Sequence, residues 1–326
     1  MEDITILKDA TAASIWGVRA GNGVIVITTK KAKRNQPPAI SFNSNMTLIQ
    51  KPDMMQLPYM SSADYIGVEK MLFDNNFYDA NEQLGYVPLS PAVELMYKNK
   101  HGLLTDAALQ QGLNELAQYD IRRELNKYVY RKGLNQQYSL NVSGQSENVS
   151  YYLSGGYDDN TSTTDGGYKR YNLRSDNTFR LSKKLSWDAA LFFTHTFTNA
   201  GRPTNFSSLP YARIADENGN ALPIDRYYRS NYIQETKQNG LLDWTYRPLD
   251  EINLINNKQK TNSLILNTGL NYDIGKGLIV EIKYQYENAQ GAGKDIRSMA
   301  SYYTRDRINT YTQVGTDGAL FRPIPL

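Results

Sequence analysis

The stretch YKRYNLRSDNTFRL, residues 168–181, alternates strictly between two kinds of side chain. Odd-numbered positions are mixed in character and include Tyr171, Leu173 and Phe179. Even-numbered positions are polar throughout, from Arg170 to Arg180. A period of two is that of a β-strand, because successive side chains point to opposite faces of a sheet. The stretch therefore predicts a strand with one partly apolar face and one polar face.

The same alternation recurs along the chain. The apolar positions that carry it are Tyr138/Leu140/Val142, Val149/Tyr151/Leu153/Tyr157, Leu185/Trp187/Ala189/Leu191/Phe193, Leu264/Leu266/Leu270/Tyr272, Leu278/Val280/Ile282/Tyr284/Tyr286 and, more weakly, Ile40/Phe42/Met46/Leu48. The sequence thus predicts seven antiparallel strands of roughly ten residues, the length that crosses a bilayer when a strand is tilted.

Long and short connections alternate strictly between these strands. Residues 144–148, 182–184 and 273–276 are short connections, and the three other gaps, at 50–134, 159–167 and 198–259, are longer. A transmembrane β-barrel shows this alternation because its turns on one rim are tight and its loops on the other rim are long. A soluble sandwich or propeller has no reason to place every long connection at one end. The pattern therefore favours a barrel.

Helices are expected inside the first long connection. Residues 61–64 resemble a capping box that opens a helix ending at Asn75. Further on, apolar residues have helical spacing, namely Leu109, Leu113 and Leu116, followed by Ile121, Leu125 and Tyr128. We expect these helices to pack at the surface.

The N-terminal stretch ILKDATAASIWGVRAGNGVIVITTKK, residues 6–31, has a different organisation. Asp9 is a good N-cap for a short Ala-rich helix that Gly17 would end. A turn at 21–23 then leads into the strand 24–29, whose first residues are apolar without alternation. Such a strand is expected to be buried on both faces, with neighbours that the few residues upstream do not supply. The unit resembles the tail of a domain.

Composition excludes several classes of protein. The chain has 326 residues, no cysteine, 25 tyrosines and a net charge of +3. Its mean hydropathy is −0.57, and no apolar run approaches ~18 residues, which excludes a transmembrane helix. The absence of cysteine excludes disulfides, thiolate metal sites and thiol catalysis. The two histidines have no ligand-like spacing, so neither a metal site nor a cofactor is expected, and nothing in the sequence indicates a nucleic-acid partner.

Residues 6–31 closely resemble the end of the plug domain of the SusC/RagA family of TonB-dependent outer-membrane transporters. The family pattern is L-K-D-A-x-A-x-x-I-[YW]-G-x-R-[AG]-x-N-G-V-I-x-I-T-T-K, and nearly every position matches. The signature residues are Lys8, Asp9, Gly17, Asn22 and Gly23. The resemblance continues through NQQYSLNVSGQSENVSYYLSGGYDDN, YKRYNLRSDNTFRLSKKLSWDAAL, GLNYDIGKGLIVEIKYQYEN and YTRDRINTYTQ, and so covers most of the chain.

The resemblance implies an all-β architecture with two parts. Residues 1–36 would be the C-terminal end of a plug domain, and residues 37–326 the N-terminal part of a large antiparallel transmembrane β-barrel with helices in a long extracellular loop. A 22-stranded plugged barrel would need roughly 780 residues. We therefore expect an internal fragment of about a third of a barrel, without the family's signal peptide and TonB-contacting segment.

The function that the resemblance implies is import of a large nutrient across the bacterial outer membrane, most often an oligosaccharide and sometimes a peptide. The implied partners are a SusD-like surface lipoprotein, TonB through the upstream region, and outer-membrane lipid. No bond of the cargo would be broken, so the chain is not expected to be an enzyme.

Two groups of residues are candidates for contact with the cargo. Arg170, Arg174 and Arg180 share the polar face of one strand and could line the lumen; alternatively they are solvated wall charges balanced by Asp176. Aromatic residues of the connection after Phe197, Trp244 and Tyr246 among them, could stack on sugar rings, and packing within the loop is the competing interpretation.

Two rival functions stay open at this stage. A soluble carbohydrate-binding β-sandwich would share the tyrosines and the strands, without lipid-facing strands or the plug signature. An outer-membrane hydrolase would need a Ser/His or Asp/His constellation near one rim, and the sequence shows none.

Overall fold

The computed structural model describes residues 3–8, 23–28 and 38–324. Two short strands stand near the N-terminus, β1 (Asp3–Leu7) and β2 (Val24–Thr28). The remaining long strands are β3 (Ala39–Ile49), β4 (Gly133–Gln145), β5 (Val149–Thr161), β6 (Gly167–Arg180), β7 (Leu185–Asn199), β8 (Ile255–Gly275) and β9 (Leu278–Arg297).

Strands β3 to β9 form one seven-stranded sheet in chain order, and every neighbouring pair is antiparallel. The predicted number of strands and their direction are confirmed. The strands make a single open sheet rather than two packed sheets, which is not the architecture of a sandwich. In the register, Leu173 of β6 lies opposite Gly155 of β5 and Phe193 of β7.

The predicted alternation of connection lengths is only partly confirmed, because the gap expected at 159–167 is a turn of just five residues, 162–166. Residues 146–148, 181–184 and 276–277 are tight turns at one end, which we call the short-turn end. Residues 50–132, 162–166 and 200–254 leave from the opposite, long-connection end. At the last tight turn Lys276 has φ 55° and both flanking glycines also have positive φ, a conformation that costs glycine little.

Helices occupy the two longest connections. Those of the first are α1 (Ser62–Asp74), α2 (Asp79–Leu84), α3 (Pro91–Lys100), α4 (Asp106–Leu116) and α5 (Ile121–Tyr128). Those of the second are α6 (Ser230–Gln238) and α7 (Pro248–Leu254), and α8 (Tyr302–Tyr311) follows β9. Two short strands, β10 (Gln313–Val314) and β11 (Leu320–Phe321), end the described chain.

The predicted helix starts are partly confirmed. The Ser61 side chain accepts from the backbone N–H of Asp64, and α1 ends at its C-cap Asn75. Helices α4 and α5 also lie where the leucine spacing predicted them. The sequence analysis missed α3, although Ser90 caps it and Pro91 stands at its first turn, a known start signal. Among the described residues no helix is both long and apolar enough to cross a membrane, a result that concerns helices alone.

The two long connections pack on each other and form, with α8, what we call the helical layer. One buried cluster joins α5 to residues 206–214, and a second joins α1, α3 and α4 to Tyr211. A third cluster contains Ile233, Trp244, Tyr246 and Tyr302. The fully buried apolar side chains of the described chain lie in this layer and not on the sheet.

The N-terminal strand corrects two expectations. Strand β2 pairs antiparallel with β1, so the residues upstream do supply a neighbour. The side chain of Ile25 is 65% exposed, and Ile4 and Ile6 are also exposed, so this pair of strands is not buried on both faces. The apolar run was sufficient to predict a strand, but a run of apolar residues does not specify how many strands cover it. The predicted helix and turn at 9–22 lie outside the described residues.

Gly23 occupies a position that only glycine fits. Its φ is +97°, and a Cβ there would lie 2.9 Å from the carbonyl oxygen of Leu7. We expect Gly23→Ala to destabilise the pairing of β1 with β2 by about 1–3 kcal/mol, measured as faster hydrogen exchange of the β2 amides. The matched control is Gly67→Ala, because Gly67 lies inside α1 with nothing within 4 Å of an added Cβ. That change should stabilise its helix by up to about 1 kcal/mol. Unchanged exchange in β2 of the Gly23 variant would contradict the prediction.

Candidate functional site

The sheet has two chemically different faces. Every second residue, in the series that contains Leu140, Leu153, Leu173, Leu191 and Leu266, lies on what we call the apolar face. The intervening residues form the polar face. The apolar face is exposed in the described structure, with Leu173 at 56% and Leu140 at 49%. Period-two alternation on these strands therefore gives the sheet one face rich in apolar side chains and one rich in polar side chains, although Phe192 and Ile265 oppose each other on the polar face.

Aromatic rings form a row across the apolar face near the long-connection end. Tyr138, Tyr157, Tyr171 and His195 oppose one another on four successive strands, with ring centroids 6.4, 4.9 and 6.3 Å apart. We call this the upper row. Nearer the short-turn end the rings of Phe179 and Trp187 stack at 5.1 Å and form the lower row. Between the two rows lie the side chains of Leu140, Leu153, Leu173 and Leu191, together with smaller and polar residues such as Ser175 and Asn177.

Arg170 and Arg174 lie on the polar face, as the alternation predicted. The Nε atom of Arg170 donates to Oδ2 of Asp158, which lies on the neighbouring strand β5, over a distance of 2.7 Å. Asp158 is only 6% exposed. Arg174 is hydrogen-bonded to Asp176, and its guanidinium lies 5.4 Å from the Tyr152 ring centroid and 4.9 Å from that of Phe192. Both cations are neutralised and held in place, as in the alternative of balanced wall charges, with Asp158 as an additional partner.

Arg180 also lies on the polar face, but far from Arg170 and Arg174. It lies ten positions from Arg170 on the same strand, which corresponds to about 34 Å. Its Nη1 donates to the backbone carbonyl of Glu147 at 3.2 Å, in the turn before β5. The structure therefore brings two of the three candidate arginines together near the middle and upper part of the face and places the third at the short-turn end.

Trp244 and Tyr246 lie in the helical layer, away from the polar face of β6. They are 6% and 7% exposed. The ring of Trp244 lies 4.4 Å from that of Tyr228, and Tyr246 lies 5.2 Å from Tyr302 in an edge-to-face arrangement. Packing within the loop accounts for both rings, as the competing interpretation held. A role of these two residues in ligand binding stays a prediction.

Two polar contacts that the sequence analysis missed join the long connections. Tyr211 is 1% exposed and its hydroxyl donates to Glu69 Oε2 at 2.6 Å. Arg229 donates to both carboxylate oxygens of Glu94, at 2.5 and 2.8 Å. Both contacts join residues more than 130 positions apart, and no local pattern indicates such a pairing. Burial raises the pKa of Glu69, an effect that the hydrogen bond from Tyr211 partly offsets.

The raised pKa of Glu69 makes the stability of the helical layer depend on pH. The folded chain holds this proton to a higher pH than the unfolded chain does, so stability falls as the pH rises above the ordinary glutamate value. We expect Glu69→Gln, which cannot ionise, to remove this component. The free energy of unfolding of the variant minus that of the wild type should then increase as the pH rises above about 4, the ordinary range of a glutamate, as measured by urea unfolding. Parallel pH curves would contradict the assignment.

A cavity of about 850 Å³ lies between the two long connections. Its wall carries charges of both signs and several hydroxyl groups. The charged residues are Glu94 and Lys98 from the first connection and Arg213, Asp225 and Arg226 from the second. Within the described part of the chain no group of three or more metal-ligating side chains is present.

The plug signature is only partly described. Lys8 follows β1, and Gly23 precedes β2 with the backbone conformation given above. Asp9, Gly17 and Asn22 lie outside the described residues.

Comparison with known proteins gives a consistent result. No protein-family model matches the chain. The TonB-dependent receptor SusC of Bacteroides thetaiotaomicron is 25% identical over 294 residues, which are 83% of this chain and 24% of the receptor. The TonB-dependent receptor P39 of Formosa agariphila is 26% identical over 241 residues, 71% of this chain and 20% of the receptor. The chain therefore spans about a fifth to a quarter of the length of these curated relatives.

Solved structures share the fold. The RagAB peptide importer in its closed-closed state superposes with a TM-score of 0.58 at 18% identity, over 92% of this chain and 33% of that chain. The RagAB peptide transporter gives a TM-score of 0.59 at 21% identity, over 89% and 32% of the two chains. The chain is thus similar in sequence to TonB-dependent receptors of the SusC/RagA type over most of its own length, and it shares its fold with the RagAB transporters.

Proposed function

We propose that the chain contributes an arc of the wall, and the end of the plug, to a transporter that imports a large nutrient across the bacterial outer membrane. The observation that carries this proposal is the two-faced sheet. Its two aromatic rows are eight positions apart along β6, which is about 27 Å of strand. At a tilt of about 40° the rows span roughly 21 Å of membrane, close to the apolar band of outer-membrane barrels.

The division of the chain follows from the same proposal. Residues 1–36 would close the plug and residues 37–326 would begin the barrel, with the helical layer on the extracellular side. The long connections support this orientation, since barrels of this kind carry their long loops outside and their tight turns in the periplasm. A SusD-like surface lipoprotein would then meet the helical layer, and TonB would act through the plug.

We propose an oligosaccharide as the cargo. Arg170 and Arg174 line the polar face together with their carboxylate partners, so this surface offers hydrogen-bonding groups with little net charge. Such a surface suits a hydrophilic and uncharged cargo. Arg180 would line the same path near the periplasm, and Trp244 and Tyr246 would stabilise the loop that faces the ligand.

A peptide is the second candidate. The cavity of the helical layer carries both acidic and basic side chains, and a peptide presents charges of both signs. Two solved structures with this fold are also named as a peptide importer and a peptide transporter.

Uptake by cells that carry the complete gene and its neighbouring lipoprotein gene tests the proposal. Labelled oligosaccharides should enter and labelled peptides should not, and a protonophore should stop entry because TonB depends on the proton gradient. Entry that continues with the protonophore would refute TonB-dependent import. Entry of peptides without entry of oligosaccharides would show that the cargo is a peptide.

A pair of variants tests the path. We expect Arg174→Ala to lower uptake about tenfold, because it removes a charged hydrogen-bonding group from the polar face. The matched control is Lys169→Ala, which removes one positive charge from the same strand on the opposite face and should leave uptake unchanged. Equal uptake by the two variants would exclude Arg174 from the path.

A further inference from the structure

A second cavity opens on the apolar face of the sheet, between β6 and β9, with a volume of about 450 Å³. Its lining combines bulky side chains, which we call its walls, with shorter ones, which we call its floor. The walls are Trp187, Leu191, Leu266, Tyr284 and Tyr286, and the floor is Ser175, Asn177, Ala189 and Thr268. A cavity in this position faces the hydrocarbon of the membrane if the proposed function holds, and the inference below rests on that function.

Polar groups on the floor have hydrogen-bonding capacity to spare. The amide of Asn177 donates one hydrogen to Ser175 Oγ at 2.8 Å, and Thr268 Oγ1 accepts from Trp187 Nε1 at 2.7 Å. Among the described residues the second amide hydrogen of Asn177 has no acceptor. An amide that faces hydrocarbon without a partner is costly, so an occupant that carries an acceptor is favoured over an alkyl chain alone.

The depth of the floor indicates which acceptor is available there. Asn177 and Ala189 oppose each other, and each is two positions from the lower aromatic row, about 7 Å further from the short-turn end. Aromatic rings of membrane proteins lie at the level of the lipid headgroups. The ester carbonyls of a glycerophospholipid lie just inside that level, at the depth of Asn177.

We propose that this cavity binds one glycerophospholipid from the leaflet at the short-turn end. One acyl chain lies over Ala189 between Trp187 and the two tyrosines, and the Asn177 amide donates its second hydrogen to an ester carbonyl oxygen. The contact between the apolar walls and the acyl chain provides most of the binding free energy of the lipid. The Asn177 amide makes the site prefer a lipid with an ester carbonyl at this depth over one without it.

Lipid chemistry offers a sharp test on the complete protein. Purified in detergent, the protein is titrated with palmitoyl-oleoyl phosphatidylethanolamine or with its diether analogue, which lacks both ester carbonyls, and bound lipid is counted by native mass spectrometry. Wild type should bind the ester about fivefold more tightly than the ether, the worth of one neutral hydrogen bond. Asn177→Leu should abolish this preference.

A second variant blocks the cavity itself. Ala189→Leu should lower binding of both lipids at least about tenfold, because the added side chain occupies the floor. Ser44→Leu is the matched control: it makes a similar small-to-large change on the apolar face of β3, outside the cavity, and should bind lipid as wild type does. If Ala189→Leu does not fold, the comparison of wild type with Asn177→Leu still tests the site, because only the wild type should prefer the ester lipid over the ether lipid.

Three results would overturn the lipid site. The first is equal binding of the ester and ether lipids by the wild type, and the second is normal lipid binding by a folded Ala189→Leu variant. The third is a change in the oligomeric mass of the protein on Ala189→Leu, which would mean that a second copy of the protein occupies the cavity. Insertion of the wild type into vesicles is measured first. Failure to insert would refute the proposed function, whereas insertion without ester preference refutes only the lipid site.

Discussion

Leu173→Arg in the complete protein should lower the free energy of unfolding in lipid vesicles by about 2 kcal/mol or more. Leu173 lies on the apolar face and is 56% exposed in the described structure, so a guanidinium at this position would lose its water to hydrocarbon. Only two positions separate it from Tyr171 of the upper row. Since the cost of a charge rises toward the middle of the bilayer, the expected cost at Leu173 lies at the lower end of the range for arginine on a barrel exterior.

Two control variants test this prediction, one at a different depth in the membrane and one on the opposite face of the sheet. Leu191 opposes Ser175, one row nearer the middle, so Leu191→Arg should cost about 2–4 kcal/mol and more than Leu173→Arg. Asn172 is adjacent in sequence but lies on the polar face, where its Oδ1 accepts from Thr194 at 3.2 Å. Asn172→Arg should cost less than about 1 kcal/mol, some of it from repulsion by Arg170 and Arg174.

Reversible urea unfolding in vesicles measures all three variants. A larger cost at Asn172 than at Leu173 would mean that the faces are exchanged, because a shift of one residue turns every side chain of a strand over. The same result would remove Arg170 and Arg174 from the lumen.

Tyr211→Ala should unfold the docking of the two long connections while leaving the sheet intact. Tyr211 belongs to the second connection but packs into the cluster of the first, against Ile66, Met96 and Leu113. Removal of a fully buried aromatic side chain costs about 3–5 kcal/mol. The variant also removes the Tyr211 hydroxyl as a donor to the buried Glu69 carboxyl, and the loss of such a donor costs about 1–3 kcal/mol.

Limited proteolysis and hydrogen exchange measure the effect of Tyr211→Ala. Cleavage should appear within residues 50–132 and 200–254, and the amides of β5 to β7 should stay protected. Tyr59→Ala is the control, because Tyr59 is 57% exposed and its loss should change stability by no more than about 0.5 kcal/mol. Protection of the helical layer as strong as in wild type would show that the connections are held together by other contacts.

The sheet was predictable because its information is local and repeated. The face on which a side chain lies follows from whether its position in the strand is odd or even, and each strand repeats the rule, so the sequence alone predicts the polar face with Arg170 and Arg174. Connection lengths likewise determined which ends of the strands lie together. Strand ends were predicted less accurately. Strand β8 begins at Ile255, inside the predicted connection 198–259, because residues 256–263 are all polar and show no alternation.

The sequence by itself determined the strand pattern, the two faces and the resemblance of residues 6–31, since each of these depends on neighbours in the chain. Only the tertiary structure decided that β1 pairs with β2, that Asp158 neutralises Arg170, and that Trp244 and Tyr246 are buried among other rings. It alone also joined Tyr211 to Glu69 across 142 positions. Contacts of this range depend on how separate connections fold back on one another, and no short pattern of side chains records that arrangement.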